Sequence, residues 1–160
     1  MTIAQLMTPY PKTLSPNDSI EKAALLMRDG DYGAVPLVDA IGSVVGIVTD
    51  RDIVIHAVAE GRDAKKTPIS HCMTPNPDTV GPDTTVEHAM HVMASRQIRR
   101  LVVVENGRLV GMVALGDLAS RDANMADKAG LLDSVSQSND DRHGPGGYLG
   151  AGMPAPGGNS

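Results

Sequence analysis

The spacing of apolar residues along the chain predicts two amphipathic helices with closely related sequences. In each, apolar side chains recur every three or four residues, which is the spacing of one helix face. They stand at Ile20, Ala23, Ala24 and Met27, and again at Val86, Ala89, Met90 and Met93. A polar cap followed three residues later by Glu precedes each stripe, at Asp18 with Glu21 and at Thr84 with Glu87. Such pairs are typical of helix N-termini, so a helix is predicted to begin at each.

Four short runs of Val, Ile and Leu predict buried strands that form two hairpins. The first hairpin comprises residues 35–38 and 44–48, with Gly42 in the turn. The second comprises residues 101–104 and 109–113, with Asn106-Gly107 in the turn. A further helix is predicted after each hairpin, opening near Asp50 and near Leu115.

These elements describe one unit that occurs twice. Met7-Thr8-Pro9 recurs 66 residues later as Met73-Thr74-Pro75, and residues 38–53 recur as residues 104–118 after one deletion near Asn106. Each unit is too small to bury a good core alone, so the two are expected to pack as a pseudo-twofold pair. A cleft between related halves is a natural place for a ligand.

The chain divides into five segments on this basis. The first repeat covers residues 1–60, a polar linker residues 61–68 and the second repeat residues 69–122. A further helix is predicted for residues 123–136. The tail, residues 137–160, contains seven Gly and three Pro in 24 residues. It has too few apolar residues to offset the entropy of ordering, so it is predicted to be disordered.

Composition excludes several classes of protein. With 160 residues, 41% of them hydrophobic, the chain can form a core, and without Phe or Trp that core is aliphatic. A net charge of −5 argues against a general nucleic-acid binder. The single Cys72 excludes a disulfide framework and a zinc site of several cysteines. No apolar run is long enough for a membrane span and no leader precedes the first repeat, so a cytoplasmic protein that binds no membrane is expected.

The end of the first hairpin carries the first polar constellation that could bind a ligand. Thr49 closes a buried strand, and Asp52 follows in the first turn of a helix. This order brings a hydroxyl, unpaired backbone N–H groups and a carboxylate to one place. A carboxylate repels phosphate but suits a vicinal diol such as that of ribose. The alternative is that Thr49 or Asp50 caps the helix and the helix dipole favours Asp52.

The second constellation is a pair of arginines, Arg99 and Arg100, directly before a buried strand. Guanidinium groups bind phosphate oxygens in bidentate fashion, so the pair suits an anionic ligand. The alternative is a pair of ordinary surface cations in a chain that has 14 Lys and Arg.

Other candidates give little support for catalysis or metal binding. His88 and His91 have one-turn spacing, but no third ligand is evident. Cys72 beside His71 has no acid placed to orient the base. We therefore predict no catalytic residue, no metal site and no enzymatic activity.

The ordered set of motifs, present twice, resembles the CBS domain, and the pair resembles a Bateman module. The matching segments are the two Met-Thr-Pro heads and residues 34–38, 46–53, 99–104 and 111–118. No single motif is specific, but their repeated order is, and it covers residues 3–121. The chain is most similar to the small bacterial CBS-pair proteins.

This resemblance implies an α/β (α+β) fold of two β-α-β-β-α repeats related by a pseudo-twofold axis. It also implies a homodimer and an adenine nucleotide, of the AMP, ADP or ATP class, in the cleft between the motifs. Thr49 and Asp52 would hold the ribose, Val80 and Ile98 would line the adenine slot, and Arg99 and Arg100 would bind phosphate. No cofactor is implied beyond this nucleotide ligand.

The second, pseudo-symmetric cleft departs from the family pattern. Ala114 stands where the motif has Thr or Ser, although Asp117 is kept, and Tyr32-Gly33-Ala34 stands where the phosphate-binding pair would be. Weak or absent nucleotide binding is therefore expected there. The predicted function is regulatory, with nucleotide binding relayed through the dimer or an unknown protein partner. The alternative is a structural dimerisation module without a physiological ligand.

Overall fold

The structure, a computed structural model, describes residues 1–121. The helix predicted for residues 123–136 and the disordered tail predicted for residues 137–160 lie outside the described residues. Both stay predictions.

The first half of the described chain contains a helix, a hairpin and a second, short helix, as the sequence predicts. A 3₁₀ turn at Ile3–Gln5 comes first and a π-helical stretch at Val54–Val58 comes last. Between them lie β1 (Thr8–Pro9), α1 (Ile20–Gly30), β2 (Ala34–Val38), β3 (Val44–Thr49) and α2 (Asp50–Ile53).

The second half repeats this order, with one additional strand before its first helix, after a 3₁₀ turn at Ile69–His71. Its elements are β4 (Thr74–Pro75), β5 (Thr79–Val80), α3 (Val86–Arg96), β6 (Arg100–Glu105), β7 (Arg108–Ala114) and α4 (Leu115–Arg121). The mixed fold of two related units is therefore confirmed. Within residues 1–121, no helix combines the length and the apolar character that a membrane crossing requires.

The caps of the two long helices lie one residue after the predicted ones, at Ser19 and Thr85. The Ser19 hydroxyl accepts a hydrogen bond from the Lys22 N–H, and the Thr85 hydroxyl accepts one from the His88 N–H, each at 3.2 Å. Asp18 is not the cap because its carboxylate is engaged elsewhere. It accepts from a backbone N–H three residues earlier at 2.8 Å and from the Lys22 ammonium at 2.9 Å.

The Met-Thr-Pro heads exchange partners between the halves, which the sequence did not predict. Strand β1 pairs antiparallel with β7 of the second half, and β4 pairs antiparallel with β3 of the first. The result is a four-stranded sheet of order β1-β7-β6-β5 and a three-stranded sheet of order β2-β3-β4. Each half thus completes the sheet of the other.

Two glycines allow the heads to approach the opposite sheet closely. A β-carbon on Gly46 would lie 2.8 Å from the sulfur of Met73, and one on Gly111 would meet the sulfur of Met7. Real β-carbons do not approach other atoms so closely, so a side chain at either position would force the methionine side chain, or the strand that carries it, to shift. The repeated Met and Gly therefore fit each other across the halves.

Each half has an aliphatic core to which the head segment of the other half contributes, and a third cluster joins the two cores. α1 buries Ile20, Ala23 and Met27, whereas Ala24, which the spacing placed on the same face, is exposed. The joining cluster is formed by Ala34, Ile47 and Val102, from the facing strands of the two sheets. This seam brings the end of β3 close to the start of β6, where the two predicted polar constellations lie.

Candidate functional site

The inter-half cleft is a cavity of about 260 Å³ between the end of β3 and the segment that leads into β6. One wall carries the Thr-x-x-Asp segment, and the other carries residues 97–100. Its lining residues are Ile47, Thr49, Asp50, Arg51, Asp52, Thr74, Asn76, Pro77, Asp78, Gln97, Ile98, Arg99, Arg100 and Val102. Five of the six residues predicted for a nucleotide therefore lie around one cavity.

Thr49 and Asp52 form a reciprocal capping box at the start of α2. The Thr49 hydroxyl accepts from the Asp52 N–H at 3.1 Å, and Asp52 Oδ2 accepts from the Thr49 N–H at 2.9 Å. The capping alternative is therefore confirmed as a structural fact. The capping box uses only Oδ2, so Asp52 Oδ1 has no hydrogen bond inside residues 1–121. The Asp52 side chain lines the cleft. The box thus fixes the carboxylate while one oxygen stays available.

The two arginines enter the cleft from the opposite wall. Arg99 is exposed, whereas Arg100 is half-buried and opens β6 opposite Ala114 of β7. Neither arginine forms an ion pair within 4.0 Å in the described part of the chain. Their guanidinium groups therefore keep their full capacity to bind an anion.

Gly33 also shapes the cleft, and this role was not predicted from the sequence. A β-carbon on Gly33 would lie 2.9 Å from Asp50 Oδ2 and 3.1 Å from Arg100 Nη2. The Arg100 guanidinium thus reaches across the seam to the first half. Any side chain at Gly33 would have to displace both charged groups.

Val80 is the predicted site residue that the structure places elsewhere. It lies on β5, pairs in parallel with Val103 of β6 and packs on the core of the second half. The cleft is lined instead by Pro77 and Asp78, which precede β5. The parallel pairing of β5 with β6 turns Val80 toward the core.

Several charged residues of the cleft were not predicted. Asp50, Arg51 and Asp78 line it, so that three carboxylates and three guanidinium groups surround the cavity. Asp78 is partly engaged, because its Oδ1 lies 3.6 Å from Nε of Arg96. The proximity of Asp50 and Arg51 to Asp52 in the sequence was a usable signal. Asp78 lies in the turn between β4 and β5. That turn contains no recognisable motif, so the sequence did not indicate that Asp78 lines the cleft.

The residues predicted for a second, weaker cleft are separated by the structure. Tyr32 lines a larger cavity of about 730 Å³, but Ala114 and Asp117 do not. Asp117 Oδ2 accepts from the Ala114 N–H at 3.3 Å, which repeats only half of the capping box. The larger cavity therefore lacks the pair of a hydroxyl and a carboxylate that lines the inter-half cleft. For this reason we assign the candidate site to the inter-half cleft, although it is the smaller of the two cavities.

The hydroxyl group of Tyr32 is buried, and this affects its protonation. Its hydroxyl is shielded from solvent and has no hydrogen-bond partner in the described residues. Burial, with a smaller contribution from Asp29, raises the pKa of Tyr32 above its ordinary value. The phenol therefore stays protonated at neutral pH.

Cys72 and His71 do not form a nucleophile and a base. Cys72 is buried in the core of the first half, and burial raises the pKa of its thiol, to which the charge of Asp52 adds. His71 Nε2 instead contacts Glu60 Oε2 at 2.9 Å. Hydrogen bonds from His71 and then from Arg62 lower the pKa of Glu60.

His88 and His91 both lie exposed on α3. Across residues 1–121, no three or more His, Cys, Asp or Glu side chains are grouped so that they could hold a metal ion.

Comparison with known proteins identifies the family. The CBS domain family matches residues 3–58 and again residues 69–124, and the chain belongs to that family. The CBS domain-containing protein YhcV of Bacillus subtilis is 39% identical over 138 residues, which are 86% of this chain and 97% of that protein. The predicted resemblance to small CBS-pair proteins is confirmed.

Solved structures of CBS-pair proteins share the fold. Hypoxic Response Protein I, solved with two coordinated zinc ions, superposes with a TM-score of 0.69 at 29% identity, covering 76% of this chain and 99% of that one. The CBS domain pair of protein MJ0100 was solved in complex with 5'-methylthioadenosine and S-adenosyl-L-methionine. It superposes with a TM-score of 0.70 at 29% identity, covering 80% of this chain and 98% of that one.

Proposed function

We propose that this chain is a regulatory CBS-pair protein that binds an adenine nucleotide of the AMP, ADP or ATP class in the inter-half cleft. In the cytoplasm it relays the presence of that nucleotide through a homodimer or an unknown protein partner. One observation carries the proposal: an oriented carboxylate and two guanidinium groups without ion pairs line the same cavity.

Each part of a nucleotide has a complementary group in the cleft. Asp52 Oδ1 suits the ribose hydroxyls, because a carboxylate accepts hydrogen bonds from a vicinal diol. Arg99 and Arg100 suit phosphate oxygens. Ile47 and Ile98 offer apolar walls for a flat base. The adenosine-based ligands of the MJ0100 domain pair support the same ligand class for this chain.

The charge balance of the cleft bears on how many phosphates it favours. Asp50 lies close to the position that Arg100 occupies near Gly33, so a phosphate bound there also meets a carboxylate. The repulsion offsets part of the attraction by the arginines. AMP, ADP and ATP therefore have to be compared directly.

An exposed apolar surface supports the homodimer. Val54, Ile55 and Val58 on the π-helical stretch are all exposed in the single chain. Neighbouring apolar side chains of this size are commonly covered by another protein surface. Sedimentation at micromolar concentration should give a dimer, and a monodisperse monomer would contradict it.

A thermal-shift screen followed by calorimetry tests the proposed ligand. A nucleotide at 100 times its Kd should add about 2.7 kcal/mol to the free energy of unfolding. Adenosine and inorganic phosphate, each tested alone, separate the base and ribose contribution from the phosphate contribution. If no adenine nucleotide shifts the melting temperature, the structural dimerisation module becomes the better interpretation.

A further inference from the structure

The charged groups around Arg100 bear on how many phosphates a bound nucleotide can carry. Asp50 Oδ2 and Arg100 Nη2 lie 2.9 Å and 3.1 Å from the point that a β-carbon on Gly33 would occupy. The carboxylate and the guanidinium are therefore close neighbours, although they form no ion pair within 4.0 Å in the described part of the chain. A phosphate that binds Arg100 consequently meets the charge of Asp50 as well.

The backbone holds the Asp50 carboxylate in this place. The Asp50 N–H donates to the Gly33 carbonyl at 3.0 Å, and Asp50 Oδ1 accepts from the Arg51 N–H at 2.9 Å. Oδ2 has no hydrogen bond within residues 1–121. The position of the carboxylate is thus defined by its neighbours in the chain, and its unpartnered oxygen is the one that lies near Arg100.

A second cavity, which we call the outer pocket, adjoins the inter-half cleft at Asp50. Asp50 lines both cavities, and Gly33, beside which the Arg100 guanidinium lies, lines the outer pocket. A chain of phosphates that extended past Arg100 would therefore enter the outer pocket. This pocket has a volume of about 330 Å³ and is lined by Met27, Arg28, Asp31, Tyr32, Gly33 and Asp50.

The charges of the outer pocket do not suit additional phosphates. Among the described residues, Arg28 is its one cation, and it is already paired with Asp29 at 2.9 Å. The two carboxylates of the pocket, on Asp31 and Asp50, form no ion pair within residues 1–121. Each phosphate beyond the first would therefore be repelled by these carboxylates without gaining an unpaired guanidinium in the pocket.

We propose that Asp50 makes the inter-half cleft selective for a nucleotide with one phosphate, so that AMP binds more tightly than ADP or ATP. Arg99 and Arg100 bind the single phosphate, whereas Asp50 and Asp31 disfavour a second and a third one. This selectivity rests on the proposed nucleotide site and deepens it by naming the number of phosphates.

Titration calorimetry of the full-length protein with adenosine, AMP, ADP and ATP tests the role of Asp50. The Kd of the wild type should rise from AMP to ADP to ATP. Asp50→Asn removes the charge with little change of shape, so it should tighten AMP by about threefold and ATP by about tenfold at low ionic strength. The affinity for adenosine, which has no phosphate, should stay unchanged. EDTA in the buffer keeps the phosphates free of Mg²⁺, whose charge would mask the repulsion.

Two further variants separate position from net charge. Asp31 lines the outer pocket but not the inter-half cleft, so Asp31→Asn should tighten ATP and leave AMP unchanged. Asparagine is well tolerated at its φ of 54°. Glu105→Gln removes the same charge from an exposed position at the opposite end of β6 from Arg100, and it should change no affinity. Melting temperatures check that all three variants fold.

Three results would overturn the selectivity. The first is tighter binding of ATP than of AMP by the wild type. The second is an equal gain for adenosine in Asp50→Asn, because the effect would then not depend on phosphate charge. The third is an equal gain from Glu105→Gln, because only the net charge of the chain would then matter.

Inorganic phosphate and tripolyphosphate separate this proposal from the proposed function. Suppose that no nucleotide binds to the wild type, but that tripolyphosphate binds more weakly than phosphate and is strengthened by Asp50→Asn. That result would support the role of Asp50 and count against the proposed function alone. Nucleotide binding with unchanged ratios between AMP and ATP in Asp50→Asn would count against the selectivity alone. An absence of binding of every nucleotide and both anions would overturn both.

Discussion

Replacing Asp52 with Ala should weaken nucleotide binding and destabilise the fold by separate and measurable amounts. Oδ2 of Asp52 accepts from the Thr49 N–H at 2.9 Å, so its removal costs about 0.5–1.5 kcal/mol of folding free energy. Oδ1, which has no protein partner within residues 1–121, is the oxygen proposed to bind ribose. Its loss should cost about 1–3 kcal/mol of binding free energy, because hydrogen bonds to an ionised group are the stronger ones. At about 1.4 kcal/mol for each factor of ten, the Kd should rise about fivefold to 150-fold.

The pseudo-symmetric residue provides a matched control. Asp117 Oδ2 accepts from the Ala114 N–H at 3.3 Å, so Asp117→Ala loses a similar hydrogen bond at the start of α4. It should lower stability without changing nucleotide affinity, because Asp117 lies outside the inter-half cleft. About one nucleotide per chain should bind in the wild type.

A second substitution separates the charge from the cap. Asp52→Asn keeps a side-chain oxygen that can accept from the Thr49 N–H, so the stability should stay close to that of the wild type. The affinity should still fall, since the charge is lost. Titration calorimetry gives the affinity and stoichiometry, and urea unfolding gives the stability of the same samples. Two equal sites per chain, or a larger loss of affinity from Asp117→Ala than from Asp52→Ala, would refute the argument.

Three further predictions concern the fold. Tyr32→Phe should raise the free energy of unfolding by about 1 kcal/mol, because it removes a buried hydroxyl without a partner, and a lower urea midpoint would contradict this. Gly111→Ala should lower the free energy of unfolding by about 1–3 kcal/mol, because the new methyl group meets the Met7 sulfur, and an unchanged urea midpoint would show that the head strand yields easily. The hydrogen bond from Lys22 lowers the pKa of Asp18 from 3.8, so its contribution to stability is complete above pH 3.8 and is lost as the pH falls through the lowered pKa. Thermal unfolding of wild type and Asp18→Asn at a series of acidic pH values should show a weaker pH dependence in the variant.

The helices and hairpins could be predicted from the sequence because each is specified locally. The apolar stripe of α3 is buried at all four predicted positions, and both hairpins form around their predicted turns. The caps were misplaced by one residue because Asp18 and Ser19 are both good cap residues. Only the competing hydrogen bonds of Asp18, to a backbone N–H and to Lys22, decide between them.

The exchange of head strands could not be predicted from local patterns. β1 and β4 are two residues long and contain Pro, so neither has a strand signal of its own. What places them is the fit of each head methionine to a glycine of the opposite hairpin. The repeat contained both halves of that contact, but a sequence that repeats both partners does not show whether they meet within one repeat or across the two.

The candidate site shows why two interpretations that seemed exclusive in the sequence are compatible in the structure. Capping α2 and binding a diol both need the Asp52 carboxylate, yet they use different oxygens. The backbone bond to Oδ2 limits the rotation of the carboxylate, so Oδ1 is already oriented and a ligand does not have to order it. Arg100 is positioned less directly, since its guanidinium reaches the first half only because Gly33 has no side chain. The same residue, Gly33, stands where the second repeat has Arg99. Because the first half has glycine here and not arginine, it leaves room for Arg100 of the second half. The same difference between the repeats therefore weakens the second cleft and helps to form the one site that we propose binds nucleotide.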